Sequence, residues 1–284
     1  MKAPSFAYAR PQSLGEALAL LGKHRDAARV LAGGQSLIPS LNMRLSSPEL
    51  LVDINGLAEL GGIRVQGDVL RIGALARHRE IGRSTEVARH APLLAQAVPH
   101  IAHVAIRNAG TLGGSLALAD PAAEYPACAL ALDATLVIAH ADGERRVAAR
   151  DFFKGLYTTA LGAQELLIAA EFPLAKPGYR SAFLELARRH GDYAIVGVAA
   201  HARADHGRLS DVRFAYFGVG ATAVRALRAA AAAEGKAADA RTVVAVQAAL
   251  GEELDPSPDL YHSAAAKLHL ARVLTGRALV ELAQ

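Results

Sequence analysis

Two short stretches hold the residues whose types and spacing could do chemistry. Ala32-Gly33-Gly34-Gln35-Ser36 follows the apolar run Arg29-Val-Leu-Ala32 and precedes a segment with helical spacing through Leu37 to Leu45. Glycines at a strand-to-helix turn let the backbone reach positive φ and leave no side chain in the way. Successive N–H groups can then converge on an anion, helped by the helix N-terminus that follows. Ser36 either caps that helix or donates to a phosphate oxygen. Asn108-Ala-Gly-Thr111-Leu112-Gly113-Gly114-Ser115 repeats the ingredients: a glycine pair with flanking hydroxyls. A pyrophosphate carries charge on both halves, so two such loops suit it. The alternative is a pair of unrelated turns. On the pyrophosphate reading, a β-branched residue at Gly33 or Gly114 puts a Cβ into the phosphate space and removes the ligand while leaving the fold.

Other chemistries are excluded or weakly supported. No G-x-G-x-x-G follows a strand and no G-x-x-x-x-G-K-[ST] occurs, which argues against a Rossmann NAD site and a P-loop. The one cysteine, Cys128, can form neither an internal disulfide nor a metal cluster, and its run Tyr125-Pro-Ala-Cys-Ala-Leu-Ala-Leu132 reads as buried. The 11 histidines lack tight ligand spacing with carboxylates. His100 and His103 stand three apart on an expected helix, as surface or ligand-edge residues rather than ligands. With 31 basic and 27 acidic residues and no basic block, a nucleic-acid face is not expected. No uncharged apolar stretch approaches the ~20 residues needed to span a bilayer, and Met1-Lys-Ala-Pro-Ser-Phe6 lacks a signal-peptide core. A soluble, cytoplasmic protein without stable membrane insertion is expected.

The elements that must position the two loops can be read in part. Ser13-Leu-Gly-Glu16 is a capping-box signal before Leu14, Ala17, Leu18 and Leu21 at helical spacing. With strands at Arg29–Ala32 and Leu50–Ile54, this predicts a small α/β lobe. Ile63 to Ile72 alternates around Gly67-Asp68 as a hairpin. Pro92 opens a helix to about Ala102. Thr135–Ala139, Arg146–Ala148 and Glu165–Phe172 read as strands. The Ala-rich stretch Ala226–Ala238 reads as a helix end and a loop. Pro173, Pro177 and Gly178 mark a domain boundary. Beyond it, strands at Ala194–Ala204 and Leu209–Gly218 join at Asp205-His-Gly207. Helices at about Arg241–Leu250 and from Tyr261 onward complete an α+β region. A chain of 284 residues, 52% of them hydrophobic, has ample material for more than one domain.

At these residues the chain resembles a known family. Ala32-Gly-Gly-Gln-Ser36 with Thr111-Leu-Gly-Gly-Ser115 is similar to the medium, FAD-binding subunit of carbon monoxide dehydrogenase and related xanthine-dehydrogenase-type molybdenum hydroxylases. Arg107-Asn-Ala-Gly-Thr111, Ala119-Asp-Pro-Ala-Ala-Glu124, Glu165-Leu-Leu167 and Arg188-Arg-His-Gly-Asp-Tyr193 follow in family order. The resemblance covers nearly the whole chain. It implies an α+β fold: a two-lobed, PCMH-type FAD domain (1–177, lobes about 1–56 and 57–177), then a smaller C-terminal domain (178–284) with a sheet packed by helices.

The resemblance also implies roles. Ala32, Gly33, Gly34, Gln35 and Ser36, with Thr111, Leu112, Gly113, Gly114 and Ser115, would hold the FAD pyrophosphate and ribityl groups. Leu37 and Ile101 would line the pocket. Glu124 would lie near the adenosine or ribityl portion, and Leu167 and Tyr193 near the isoalloxazine ring. Read without the resemblance, Tyr193 is a core or sheet-edge aromatic, Arg188 and Arg189 a solvated pair or docking contact, and Asp120 and Glu124 surface carboxylates capping the helix after Pro121. Two departures stand out: Glu185 where many relatives carry a basic residue, and Gln35 where some carry His. The implied function is electron transfer through non-covalent FAD, with no catalytic acid or base on this chain. The molybdenum cofactor and 2Fe-2S clusters would sit on a large and a small partner subunit, in a dimer of heterotrimers. A free-standing FAD-dependent oxidoreductase of the same superfamily and a flavin-free scaffold stay open.

Overall fold

The computed structural model describes residues 2–284. The chain opens with β1 (Ala7–Ala9), α1 (Leu14–His24), β2 (Ala28–Leu31), α2 (Leu37–Asn42) and β3 (Leu50–Asp53). The expected α/β lobe is there, with β1 as an additional strand: three parallel strands in the order β1-β3-β2. The N-terminus of α1 is capped slightly differently from the capping-box reading. Ser13 Oγ accepts from Glu16 N at 3.2 Å, but Glu16 Oε2 accepts from Gln12 N at 2.7 Å rather than from Ser13.

The next segment comprises β4 (Ile63–Gln66), β5 (Val69–Gly73), α3 (His78–Arg83), α4 (Thr85–His90), α5 (Pro92–Ala97), α6 (Val104–Ala109), α7 (Leu112–Leu118), α8 (Glu124–Ala131), β6 (Thr135–His140), β7 (Gly143–Ala148), α9 (Ala149–Phe152), β8 (Phe153–Gly155), β9 (Thr158–Thr159) and β10 (Leu166–Pro173). Strands β4-β5-β10-β6-β7 form one antiparallel sheet, and the six helices α3 to α8 lie between β5 and β6 in sequence. Helix α5 starts at Pro92 as expected but stops at Ala97, not Ala102. Pro99 has no N–H and disfavours helical geometry before it. The carbonyls freed by that stop accept from Arg107 Nη1: Pro99 at 3.2 Å, Ile101 at 2.9 Å and Ala102 at 2.7 Å. His100 and His103 therefore do not share a helix; His103 precedes α6 as its N-cap residue.

The remainder is β11 (Tyr179–Ala187), β12 (Ala194–Asp205), β13 (Arg208–Phe217), β14 (Val224–Arg225), α10 (Leu227–Ala233), α11 (Ala240–Glu253) and α12 (Ala264–Ala283). The strands form an antiparallel sheet in the order β11-β12-β13-β14. β11 was not anticipated. Ala182 faces the core shared with α10 to α12, while Phe183 faces the core shared with α5 and α8. A strand packed on both faces at its centre, where adjacent Ala182 and Phe183 are both buried, lacks the alternation that marks half-buried strands. Gly197 on β12 leaves room for the Phe217 ring, which stacks on Phe183 at 5.6 Å. The Ala-rich stretch forms the short α10 and then turns at Gly235, where φ is 71°. Among the described residues no helix is long and apolar enough to cross a membrane.

Candidate functional site

The two glycine loops are neighbours. A Cβ on Gly33 would lie 2.5 Å from Ala109 O and 2.7 Å from Gly110 Cα, so the backbones of the two loops are in contact. Gly34 supplies the positive φ of the first turn, at 70°. This corrects one expectation about Gly33. Its missing side chain makes room for the second loop, not for a phosphate. A brace fixes the same spacing. Asn55 Nδ2 donates to Ala32 O at 2.8 Å, Arg77 Nη2 donates to Asn55 Oδ1 at 2.6 Å, and Arg77 Nη1 donates to Ala109 O. Asp53 orients Asn55, accepting from its side-chain and backbone nitrogens at 2.6 and 2.9 Å.

The loops differ in what they offer. In the first, Ser36 makes no side-chain cap bond. The first intrahelical bond of α2 runs from Ile38 N to Gly34 O, at 3.0 Å. The amides of Gln35, Ser36 and Leu37 precede it and have no intrahelical partner. Gln35 folds back, Nε2 donating to Gly33 O at 2.9 Å. In the second loop the amides are taken. Leu112 N donates to Ala76 O, Gly113 N to Ala74 O and Ser115 N to Thr111 O, at 3.0, 2.9 and 3.1 Å. Gly114 N donates to the capping Thr111 Oγ1 at 3.0 Å. The second loop is thus a small, bare surface with the Ser115 hydroxyl, not a second cradle of N–H groups. A Cβ on Gly114 would crowd the Thr111 cap, at 2.8 Å from Oγ1.

Both loops open onto one cleft of about 650 Å³. Every predicted site residue lines it except Leu112, which is fully buried in the hydrophobic core at the start of α7. Ile101, Ile106, Leu118, Leu161 and Leu167 give the cleft apolar walls, and Tyr157 and Tyr193 stand at its rim. Tyr193 is 70% exposed, which removes its reading as a core aromatic. Arg188 and Arg189 pair with Asp192 at 3.2 and 3.6 Å. Asp120 Oδ1 accepts from Ala122 N at 2.9 Å, a turn before α8. Glu124 is the first residue of α8 and faces the cleft.

Sequence reasoning missed His78, Tyr157 and Asp192 as cleft residues. A lone histidine and a tyrosine on a short hairpin carry no pattern. Tyr157 sits in the left-handed region with φ 51°. Burial acts on the charges here. It pushes His78 down to about 4, aided by Arg107 and Arg77. It pushes the Asp120 carboxyl up and the Glu124 carboxyl up to about 7. Among the described residues no group of three or more His, Cys, Asp or Glu is arranged to hold a metal ion. Cys128 is buried, as expected.

A cleft lined by amide and hydroxyl donors, apolar side chains and two exposed tyrosines fits a long, amphipathic, phosphate-bearing cofactor better than a metal or a small polar substrate. Residues 4–175 match the model of the FAD binding domain in molybdopterin dehydrogenase, and residues 181–282 that of the CO dehydrogenase flavoprotein C-terminal domain. The chain belongs to this family of FAD-binding medium subunits of molybdenum hydroxylases. It is 39% identical to the 6-hydroxypseudooxynicotine dehydrogenase complex subunit alpha of Paenarthrobacter nicotinovorans, over 99% of this chain and 95% of that one. It is 36% identical to the glyceraldehyde dehydrogenase medium chain of Sulfolobus acidocaldarius, over the full length of both. A solved structure of carbon monoxide dehydrogenase from Hydrogenophaga pseudoflava, lacking the Mo-pyranopterin moiety of its molybdenum cofactor, has a chain that superposes with a TM-score of 0.97. The identity is 39%, over 99% of this chain and 98% of that one.

Proposed function

We propose that this chain is the electron-transfer subunit of a cytoplasmic molybdenum hydroxylase complex. It binds FAD without a covalent bond and passes electrons, delivered by 2Fe-2S clusters on a small subunit, to an external acceptor. A large subunit carries the molybdenum cofactor, and the assembly is a dimer of heterotrimers. The observation that carries the reading is the backbone contact between Gly33 and Gly110, which makes one grip of two loops distant in sequence. Bound flavin supplies the redox chemistry; the protein supplies position and electrostatics.

The amides of Gln35 to Leu37 and the Ser36 hydroxyl would hold the diphosphate. The bare surface at Gly113 and Gly114 would let it approach closely, with Ser115 donating. Leu37 and Ile101 would line the pocket, Glu124 would lie by the ribityl or adenosine portion, and Leu167 and Tyr193 would flank the ring. The chain's single cysteine is buried and cannot ligate a cluster, so the iron–sulfur ligands belong to partners. We draw the domain boundary at residues 177 and 178, in the linker between β10 and β11.

Two measurements test this. Purified protein is expected to show oxidised-flavin absorption and to copurify with one larger and one smaller chain; flavin without partners would instead support a free-standing enzyme. Acid precipitation is expected to release the flavin into the supernatant. Neither His nor Cys stands in the Ala32–Ser36 loop to attach it, and yellow colour retained by the pellet would refute non-covalent binding.

A further inference from the structure

Resting on the FAD reading of the cleft, we infer that Glu124 and Glu185 form a proton-binding site behind it, and that FAD binding draws a proton onto this pair. Glu185 lies on β11 opposite Gly197 of β12, on the same face as Phe183. Its side chain is only 3% exposed, and its Oε2 is buried without a hydrogen-bond partner. The nearest basic atom, His100 Nδ1, is 3.9 Å away, beyond hydrogen-bond reach. Glu124, at the start of α8, lines the cleft, and its charge is felt at Glu185.

Among the described residues no Lys or Arg forms an ion pair with either carboxyl, and Glu185 meets only His100. Around the pair stand His100 after α5, Glu124 and Asp120 at the approach to α8, and His190 and Tyr193 in the loop before β12. His100 is driven towards the neutral form by burial and by His190. Arg107 is engaged with the carbonyls of Pro99, Ile101 and Ala102. Gly197 brings no charge from β12. On the opposite face of the sheet, Lys267 is held by Asp259 at 2.9 Å. A carboxyl this deeply buried without a hydrogen-bond partner resists ionising, so Glu185 tends to hold its proton near neutral pH. Burial, then the charge of Glu124, pushes Glu185 up to about 8.

A diphosphate entering the cleft adds negative charge and raises the proton affinity of the pair further. By reciprocity, FAD then binds more tightly as pH falls through the range where the pair titrates. The test is calorimetric titration of FAD into flavin-stripped protein at pH 7.5, in two buffers of different ionisation enthalpy. The expected result is net proton uptake per FAD bound. Affinity should weaken from pH 6.5 to 8.5, by at most about tenfold per unit for one linked proton. Glu185→Gln should bind FAD with less proton uptake than wild type and a flatter pH dependence, Glu124 still contributing, while Glu252→Gln, on the exposed end of α11, behaves as wild type. Should Glu185→Gln fail to fold, infrared difference spectra of wild-type protein serve. A protonated-carboxyl band that grows on FAD binding supports the site, and an unchanged band overturns it. Buffer-independent heat of binding, or uptake unchanged in folded Glu185→Gln, overturns the proton site alone. No binding in any buffer overturns both this inference and the reading of the cleft.

Discussion

The two faces of β11 are built to different standards. On the face covered by α10 to α12, polar groups are paired. Tyr216 Oη and Thr275 Oγ1 lie 2.6 Å apart, and Thr275 Oγ1 donates on to Ala271 O at 2.6 Å. On the side of the molecule that holds the cleft, His78 Nδ1, Tyr125 Oη, Glu185 Oε2 and Asp192 Oδ2 are buried without hydrogen-bond partners. Unpaired buried polar groups cost stability and are rare. Their concentration on one side separates a region built for packing from one built to receive a ligand. The backbone agrees. Where the cleft is formed, glycines allow two loops to touch; in the helix-covered layer, helices and strands pack through alanine, leucine and phenylalanine.

Substitutions on the two sides should therefore have different signatures. The largest effect is expected at Gly33→Val. A side chain there meets the backbone of the second loop, so FAD affinity should drop ~100-fold or more, about 2.7 kcal/mol, in a protein with unchanged circular dichroism. The flavin-to-protein ratio checks this, and normal flavin content would dissolve the contrast. Gly197→Ala should do the reverse, because its methyl would strike the Phe217 ring. A loss of ~1–3 kcal/mol in denaturant unfolding is expected from overpacking, with flavin content per folded molecule retained. Asn55→Ala removes the bridge from Ala32 O to Arg77 and should weaken FAD by roughly 1–2 kcal/mol, the scale of a lost buried hydrogen bond. A titration by flavin fluorescence measures it, and a fall in melting temperature without any change in affinity would reduce Asn55 to a stability role. The smallest effect is expected at Tyr216→Phe. Thr275 keeps its bond to Ala271 O, so about 1 kcal/mol of stability is lost and FAD affinity stays as it was.

The sequence announced this division unevenly. Both glycine loops, the first lobe and the β12–β13 hairpin were legible, because glycine pairs and regular apolar runs leave marks in one dimension. The six helices from His78 to Ala131 were mostly illegible, being only six to eight residues long and too short to show a period. β11 was hidden because its centre packs on both faces, Ala182 towards one core and Phe183 towards the other. The role of the second loop was half legible. Its glycines and hydroxyls stood out, yet the carbonyls of Ala74 and Ala76 that occupy its amides come from a distant turn. Leu112 shared the motif's position but turned into the core, as an apolar residue at the start of a helix over a hydrophobic cluster does. Glu185 was visible only as an unexpected charge; its burial required the tertiary structure.

A crystal structure of the protein with FAD bound tests the central claim most directly. The account predicts density for the diphosphate between residues 33–36 and 113–115, with the tricyclic ring toward Leu167 and Tyr193. Diphosphate density elsewhere on the chain, with the space between those loops empty, would contradict it.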